Sequence, residues 1–264
     1  MNRRARHAPD LVDLDDIVYG IHAVSEALVA GEVLKKIHVG EERRRDPFVR
    51  PLLAKAGELQ IPVRFEHHAF FAKFPYKAHQ SVIAYAAPFP YVSLEEAIEQ
   101  RTVGHNALFV VLDHITDPHN AGAIIRTAEC AGVNAVVLPE RRAAGVNGTV
   151  RKASAGATQH VPVARVANVA EALRKFKKAG VWVVGADLGP DAATHTEADL
   201  ARNLALVIGS EGQGLSQIVR RECDYLVRIP VEGKIASLNA SVAAGVLLYE
   251  AVRQRAAPPG IRPP

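Results

Sequence analysis

Six short runs of apolar residues recur along the later part of this chain, and stretches with helical character separate them. The runs are ALFVVLD, NAVVLP, VPVARV, VWVVGAD, LALVIG and YLVRIP, all between residues 107 and 230. Strands that are apolar on both faces and alternate with helices are typical of a parallel sheet that is covered on each side. We therefore predict an α/β fold with a parallel sheet for residues 106–255.

A smaller α/β module precedes this sheet. Strand patterns alternate there with amphipathic helices, which predicts helices over Ile21–Val29 and Phe48–Leu59 and strands over Leu34–Val39, Ile61–Phe65 and Ser81–Ala86. The segment PFPY then interrupts the pattern, and Ser93 with Glu96 forms a capping box that starts a polar helix. We interpret residues 17–87 as a separate domain, 88–105 as a linker, and 1–16 and 256–264 as disordered tails.

The length of 264 residues and a hydrophobic share of 48% suffice for a full core. No apolar run approaches the roughly 20 residues that a membrane helix requires, and the first residues lack the apolar segment of a signal peptide. We therefore expect a cytoplasmic protein with no membrane partner. Cys130 and Cys223 lack metal-type spacing, so we expect two small buried side chains and neither a disulfide nor a zinc site.

Basic residues are clustered in this chain, whose net charge is +4. The clusters are Arg3, Arg4 and Arg6; Arg43 to Arg45; Arg141, Arg142, Arg151 and Lys152; and Arg174, Lys175, Lys177 and Lys178. Clustered lysine and arginine suit contacts with nucleic-acid phosphates. Each cluster alone fits a solvated surface equally well, so a nucleic-acid partner needs further support.

The stretch LVIGSEGQGL predicts a buried strand that runs into a glycine turn, where Gly209, Gly212 and Gly214 let the backbone approach a ligand. The glycine spacing is G-x-x-G-x-G, the reverse of the dinucleotide fingerprint, and no Walker-type Gly-Lys follows it. A turn without a ligand is the plain alternative. We favour a pocket, because a second stretch of the same kind lies close behind.

That second stretch, RIPVEGKIASLNAS, predicts a strand, a tight loop and a long helix that Ser237 caps and that runs to about Arg253. The helix is apolar nearly all round, which indicates burial on more than one side, between the sheet and a second subunit. Ordinary capping accounts for Ser237 but not for Asn239, which needs a partner at a buried helix start.

A third stretch, DHITDPHNAGAIIRTAECAG, follows the first strand of the larger domain. Gly122 and Arg126 lie one helical turn apart, which predicts open space beside the guanidinium for a planar or anionic ligand. The alternatives are a surface arginine and a metal site formed by His114, Asp117 and His119. The absence of a G-x-S-x-G motif argues against a serine hydrolase.

Together the three stretches resemble the SpoU-type RNA 2′-O-ribose methyltransferases of the SPOUT superfamily. The first motif is matched by Asn120, Gly122, Arg126 and Thr127, the second by Gly209, Glu211, Gly212 and Gly214, and the third by Ile229, Pro230, Ser237, Leu238 and Asn239. The similarity covers residues 107 to about 255. The run YGIHAVSEAL at residues 19–28 resembles the ribosomal-protein-like substrate-binding domain of the bacterial 23S rRNA guanosine 2′-O-methyltransferases, and residues 146–163 fit the same subgroup.

The resemblance implies S-adenosyl-L-methionine as cofactor, a deep trefoil knot in the C-terminal α/β domain, and a homodimer with active sites at its interface. It implies no metal. By position, the cofactor would lie against the backbone around Asp187, Gly209, Gly214, Ile229 and Leu238. The implied catalytic residues are Asn120, Arg126, Glu211, Ser237 and Asn239.

Arginine is effectively always protonated, which makes Arg126 a poor base. We therefore interpret Arg126 as a phosphate ligand that stabilises the developing alkoxide, from its own or the partner subunit, while the other four residues hold the ribose. Glu211 is the proton acceptor only if it reaches the hydroxyl directly or through one water.

The resemblance implies that residues 17–87 bind the RNA substrate and that the chain methylates a guanosine ribose of 23S rRNA in the peptidyl-transferase region. The partner would be 23S rRNA or a ribosome assembly intermediate. The alternatives are the same reaction on tRNA or on another rRNA nucleotide, and a non-catalytic RNA-binding protein of ribosome assembly.

Overall fold

The computed structural model describes residues 17–29, 31–74, 79–100, 106–235 and 237–256. The predicted disordered tails lie outside the described residues apart from Ala256, as do residues 101–105 of the predicted linker and the arginines near the N-terminus. The chain divides into two compact units, residues 1–89 and 90–264. Among the helices of the described ranges, none combines the length and the hydropathy that crossing a membrane requires.

The first unit is a four-stranded sheet with helices packed against it. Its elements are β1 (Ile17–Tyr19), α1 (Ile21–Val29), β2 (Leu34–Gly40), α2 (Arg50–Glu58), β3 (Val63–Glu66), α3 (His68–Phe71) and β4 (Val82–Ala86). The order is β1-β4-β2-β3, in which only β2 and β3 are parallel. The helices and strands predicted from the sequence are all present, with ends that differ by a few residues. Their apolar faces, including Val24, Ile37 and Leu52, form one core.

The second unit contains a seven-stranded sheet in which every neighbouring pair is parallel. Its elements are α4 (Leu94–Glu99), β5 (Leu108–Asp113), α5 (Pro118–Cys130), β6 (Ala135–Pro139), α6 (Gly148–Ala153), β7 (Val163–Val166), α7 (Val169–Lys178), β8 (Trp182–Ala186), β9 (Ala193–Thr194), β10 (Leu204–Gly209), α8 (Gln217–Glu222), β11 (Tyr225–Arg228) and α9 (Ala240–Ala256). The strand order is β7-β6-β5-β10-β8-β11-β9. The predicted parallel sheet and all six apolar strands are confirmed.

Burial of the central strands explains why their sequences are apolar throughout. Every residue of β5 is buried, and Leu204 to Ile208 of β10 are at most 1% exposed. Strands covered on both faces cannot alternate polar and apolar residues. The two-residue strand β9 was not predicted, because two residues show no periodicity.

The segment just after residue 89 belongs to the core of the second unit. The predicted capping box of Ser93 and Glu96 starts α4, whose Leu94 and Ala97 are buried in the main apolar cluster. Val92 adds a parallel bridge to Ala164 beside β7. Residues 91–99 of the predicted linker are therefore packed structure.

The last turn of α9 is attached to the amino ends of the strands, whereas its first turn lies at their carboxyl ends. The Arg255 guanidinium donates hydrogen bonds to the carbonyl oxygens of Asn106, Ala107 and Arg202 at 2.7, 3.0 and 2.8 Å. Burial lowers the pKa of Arg255 to about 10, so the side chain remains charged at neutral pH. This anchor holds α9 along the sheet and thereby places its first residues at the carboxyl ends of the strands.

The cysteines differ from expectation. Cys130 is exposed, so the prediction of a buried side chain is wrong there, because it lies in the last turn of α5 on the outer face. Cys223 is partly buried against the main core, and burial raises the pKa of its thiol to about 12. Such a thiol is almost entirely protonated at neutral pH and is a poor nucleophile.

Candidate functional site

A cavity of about 370 Å³ lies at the carboxyl ends of β8, β10 and β11. Ligands of open α/β sheets bind at this edge, where the loops that follow the strands converge. All five residues for which the resemblance implies a cofactor contact line the cavity: Asp187, Gly209, Gly214, Ile229 and Leu238. Glu211 and Ser237 of the implied catalytic set line it too.

Backbone pairing closes the turn after β10. The Ser210 N–H donates to the Gly214 carbonyl at 3.1 Å, and the Gly214 N–H donates back to Ser210 at 2.9 Å. Gly212 and Gly214 have φ angles of +80° and +67°, which favour glycine. Gly209 is required for a different reason: a Cβ there would overlap the Gly214 carbonyl and lie 2.5 Å from the Leu215 nitrogen. The glycines therefore shape a tight turn that presents Glu211 to the cavity.

An ion-pair cluster fixes the loop after β8. Asp187 Oδ2 accepts a hydrogen bond from Arg220 Nε at 3.1 Å, and its Oδ1 accepts one from the Gly189 N–H at 2.7 Å. Arg220 Nη2 also donates to both carboxylate oxygens of Asp191, at 2.6 and 2.7 Å. Both carboxylate oxygens of Asp187 therefore already have protein partners, and its N–H donates to the Val227 carbonyl at 2.9 Å, so its backbone carbonyl is the part available to a ligand. Sequence reasoning missed Arg220, because no spacing rule connects a helical arginine to a loop before it.

Asn120, Glu211 and Asn239 form a mutually hydrogen-bonded cluster beside the cavity. Glu211 Oε1 accepts from Asn120 Nδ2 at 2.8 Å, from Asn239 Nδ2 at 2.5 Å and from the Ala240 N–H at 3.3 Å. Asn239 Nδ2 also donates to Asn120 Oδ1 at 2.9 Å. The three residues meet because β5 and β10 are neighbours in the sheet, with Gly209 paired to Asp113. A carboxylate at the start of α9 also interacts favourably with the helix dipole.

Asn239, and not Ser237, caps α9. The helix begins at Ala240, and Asn239 Oδ1 accepts from the Ser241 and Val242 N–H groups at 2.9 and 3.3 Å. The prediction of a Ser237 cap is therefore wrong; Ser237 is exposed at the cavity. Because Asn239 Oδ1 is engaged with the helix, only the amide nitrogen of Asn239 contacts the cluster.

We expect serine and alanine at position 239 to separate these two roles. Serine is a good helix cap, so Asn239→Ser should keep the melting temperature of the wild type, whereas Asn239→Ala should lose about 1 kcal/mol of stability. Neither serine nor alanine can donate hydrogen bonds to both Glu211 and Asn120, so both variants should lose methyl transfer. Thermal unfolding and a methylation assay would check this, and an active Asn239→Ser variant would contradict the role of the cluster.

Arg126 lies apart from this cluster. Its side chain is exposed, and no hydrogen bond or ion pair joins this side chain to another described residue. Along an α-helix, six residues correspond to a rise of about 9 Å and a rotation of about 240°, so Arg126 and Asn120 of one α5 point in different directions. Of the five implied catalytic residues, the structure brings four to the cavity and its rim and leaves Arg126 outside.

Gly122 does not provide open space, and that prediction is wrong. It is fully inside the packing of α5 against α6: a Cβ there would lie 2.5 Å from the Ala153 Cβ and 2.8 Å from the Val150 carbonyl oxygen. The neighbouring helix α6 therefore occupies the space that a side chain at position 122 would need. No group of three or more His, Cys, Asp or Glu side chains suited to a metal ion occurs among the described residues.

Asp113 is a second residue that sequence reasoning passed over. Its carboxylate is buried at the end of β5, where Oδ2 accepts from the Ser216 N–H at 2.7 Å and Oδ1 lies 2.6 Å from His114 Nδ1. Asp113 thereby ties the end of the glycine turn to β5. The sequence signal that could have identified Asp113 is an acidic residue at the end of an otherwise apolar strand.

Two family models match this chain. The SpoU rRNA Methylase family matches residues 107–249, and the model for RNA 2′-O ribose methyltransferase substrate binding matches residues 17–92. The curated relatives include an uncharacterized tRNA/rRNA methyltransferase of Synechocystis, 43% identical over 91% of this chain and 63% of its own length. A putative TrmH family tRNA/rRNA methyltransferase of Staphylococcus haemolyticus is 40% identical over 91% of this chain and 96% of its own length.

Solved structures of similar fold include proteins with a bound cofactor. The SpoU methyltransferase AviRb of Streptomyces viridochromogenes, in complex with AdoMet, is 28% identical with a TM-score of 0.59 and covers 90% of each chain. An AdoMet-bound rRNA methyltransferase of Sinorhizobium meliloti is 28% identical with a TM-score of 0.57, over 91% of this chain and 88% of its own.

Proposed function

This chain belongs to the SpoU rRNA methylase family, and on that premise we propose that it transfers a methyl group to the ribose 2′-hydroxyl of a guanosine in 23S rRNA, in the peptidyl-transferase region. Its family of enzymes uses S-adenosylmethionine and methylates RNA. The observation that carries the proposal is the cluster of Asn120, Glu211 and Asn239 at the rim of the cavity.

The cavity suits S-adenosylmethionine in size and in chemistry. Its volume is within the range of roughly 300–1,000 Å³ that is typical of small-molecule sites. Leu188, Ile229 and Leu238 supply apolar surface for a purine, while the glycine turn supplies backbone donors and acceptors. Glu211 supplies the negative charge that a sulfonium favours.

The bound cofactor supplies an electrophilic methyl group, so the protein has only to align the ribose oxygen and remove its proton. When the ribose oxygen accepts that methyl group, the proton of the 2′-hydroxyl would have to pass to a base that the protein supplies. Glu211 Oε1 already accepts three hydrogen bonds, so Oε2 is the carboxylate atom that remains for the hydroxyl or for a bridging water. Asn120 and Asn239 are positioning residues that fix the carboxylate.

Arg126 acts on the RNA phosphate and the developing alkoxide in this proposal, from the neighbouring subunit. Within one chain it points away from Asn120, but α5 and α9 pack side by side, and a Cβ at Gly245 of α9 would lie 3.8 Å from Thr127 Cγ2. A dimer formed through this pair of helices would bring the exposed Arg126 to the partner's rim. The catalytic set is then completed across the interface.

The outer face of α9 supports such a dimer. Val242, Val246 and Tyr249 are 51%, 37% and 53% exposed and share one helix face, whereas the inner face with Leu247 and Leu248 is buried on the sheet. One chain therefore buries this apolar helix on one side only, and a second copy would cover the other.

A charge on this face should separate the subunits. We expect Val246→Glu to sediment as a monomer and to lose methyl transfer, because each site would lose the partner's Arg126. Ile218→Glu is the matched control, since Ile218 is 63% exposed on α8 of the same unit, and it should stay dimeric and active. A dimeric Val246→Glu would place the interface elsewhere.

The choice of rRNA over tRNA rests on the first unit, which matches the substrate-binding model over residues 17–92. The family's knot, the cytoplasmic location and a ribosome assembly intermediate as the natural substrate remain part of this proposal. A non-catalytic assembly role is the alternative of a different class; the intact Asn120, Glu211 and Asn239 cluster favours catalysis over it.

A ribose-methylation map of rRNA and tRNA from cells with and without the gene tests the target. Loss of one guanosine methylation in the peptidyl-transferase region of 23S rRNA is the expected result. Loss of a tRNA position would reject the rRNA target, and an unchanged map would favour the non-catalytic role.

A further inference from the structure

The loop before α2 presents an exposed aromatic ring. Phe48 is 75% exposed, whereas its neighbour Val49 is completely buried in the core of the first unit. Asp46 fixes the loop: its Oδ1 accepts from the Phe48 N–H at 2.9 Å, and its carbonyl oxygen accepts from the Val49 N–H at 3.0 Å. Phe48 is therefore held at the surface by a defined turn.

Arginines flank Phe48 in the sequence. Arg44 lies over the ring of Phe65, with its guanidinium carbon 4.6 Å from the ring centre. Arg45 and Arg50 are exposed, and no carboxylate of the described residues pairs with any of these three arginines. A single exposed phenylalanine needs no explanation, but an exposed ring with unpaired arginines close to it in the sequence supplies the two groups that bind unpaired nucleotides.

The acidic residues of the same segment are already engaged. Asp46 binds Arg43 at 2.6 Å, Glu41 lies 3.5 Å from His67 Nδ1, and Glu42 forms a hydrogen bond with Ser81. These acidic side chains therefore have partners other than Arg44, Arg45 and Arg50, and these three arginines remain available to an external anion.

We propose that Phe48, Arg44, Arg45 and Arg50 bind a single-stranded segment of the substrate RNA. One unpaired base stacks on the Phe48 ring, and the arginines contact the phosphates on either side. A duplex would not fit, because its base faces are covered by neighbouring pairs. The inference rests on the proposed function, since it takes RNA as the substrate, and it assigns a contact surface within residues 17–92, the range that the substrate-binding model matches.

The test measures binding of fluorescein-labelled single-stranded oligoadenylate to the full-length protein by anisotropy. Phe48→Ala should weaken binding about tenfold, the typical effect of removing one stacking partner. Phe48→Trp should retain the wild-type affinity and show tryptophan quenching on binding. Arg45→Gln and Arg50→Gln should each lower the salt dependence of binding, by about 0.7 in the log–log slope.

Leu59→Ala is the control, because Leu59 is 45% exposed elsewhere in the same unit, and it should bind like the wild type. A Phe48→Ala affinity equal to that of the wild type, without quenching in Phe48→Trp, would overturn the assignment. Methyl incorporation into RNA by the wild type is measured separately, so failure of this surface is distinguishable from failure of the proposed reaction.

Discussion

Arg126→Ala should reduce methyl transfer by about 10³-fold, the usual effect of removing a group that stabilises a developing oxyanion, and leave S-adenosylmethionine affinity unchanged. The side chain is exposed, without a partner in the described residues, and lies outside the cofactor cavity. Alanine is a better helix former than arginine, so the fold should be unaffected. Single-turnover methyl transfer and calorimetric cofactor binding would measure the two effects; a loss of cofactor affinity would remove Arg126 from its assigned role.

A mixed dimer decides which subunit supplies this arginine. In a heterodimer of Arg126→Ala and Glu211→Ala chains, one site would combine an intact Glu211 with the partner's intact Arg126 if the site is shared. Methyl transfer should then reappear on mixing two inactive proteins. Absence of activity in a verified heterodimer would place both residues of a site in one chain.

Gly209→Ala is the second large effect that we expect. The added Cβ would overlap the carbonyl of Gly214 and open the pairing of Ser210 with Gly214. Overpacking against backbone destabilises by about 3 kcal/mol, and the turn that holds Glu211 would distort to relieve it. If this destabilisation affects the cofactor-bound state and not the cofactor-free state, the affinity for S-adenosylmethionine drops about 10²-fold.

Gly233→Ala is the matched control, because no atom of the described residues, apart from Gly233 and its two chain neighbours, lies within 4 Å of a Cβ at this position. The residue also stands in the segment between β11 and α9. It should bind cofactor like the wild type. Calorimetric titration of both variants, with thermal unfolding alongside, compares them. Equal affinities for the two would show that the tight turn is not needed for cofactor binding.

The sheet could be predicted from the sequence because strands that are buried on both faces consist of continuous runs of apolar residues. The site could not be assembled in the same way. Asn120, Glu211 and Asn239 are brought together by the pairing of β5 with β10, and periodicity does not tell which strands are neighbours. Their association was implied by the resemblance alone.

The wrong predictions for Ser237 and Gly122 have a common cause. Ser237 and Asn239 are equally good caps by residue type, and the contact of Asn239 with Glu211 accompanies the cap that forms. At Gly122 the sequence reveals a missing side chain but not α6, which fills the space. In both cases a distant segment decides the outcome of a local pattern.

The central position of β10 affects how the chain folds while it is being synthesised. Residue 204 pairs with residue 108 on one side and with residue 182 on the other. The strand β10 in the middle of the sheet is therefore among the last strands to be synthesised. Pairings this distant in sequence close slowly. A nascent chain therefore carries β5 and β8 without the strand between them until Gly209 emerges, and the cofactor cavity, which also needs the start of α9, is completed last of all.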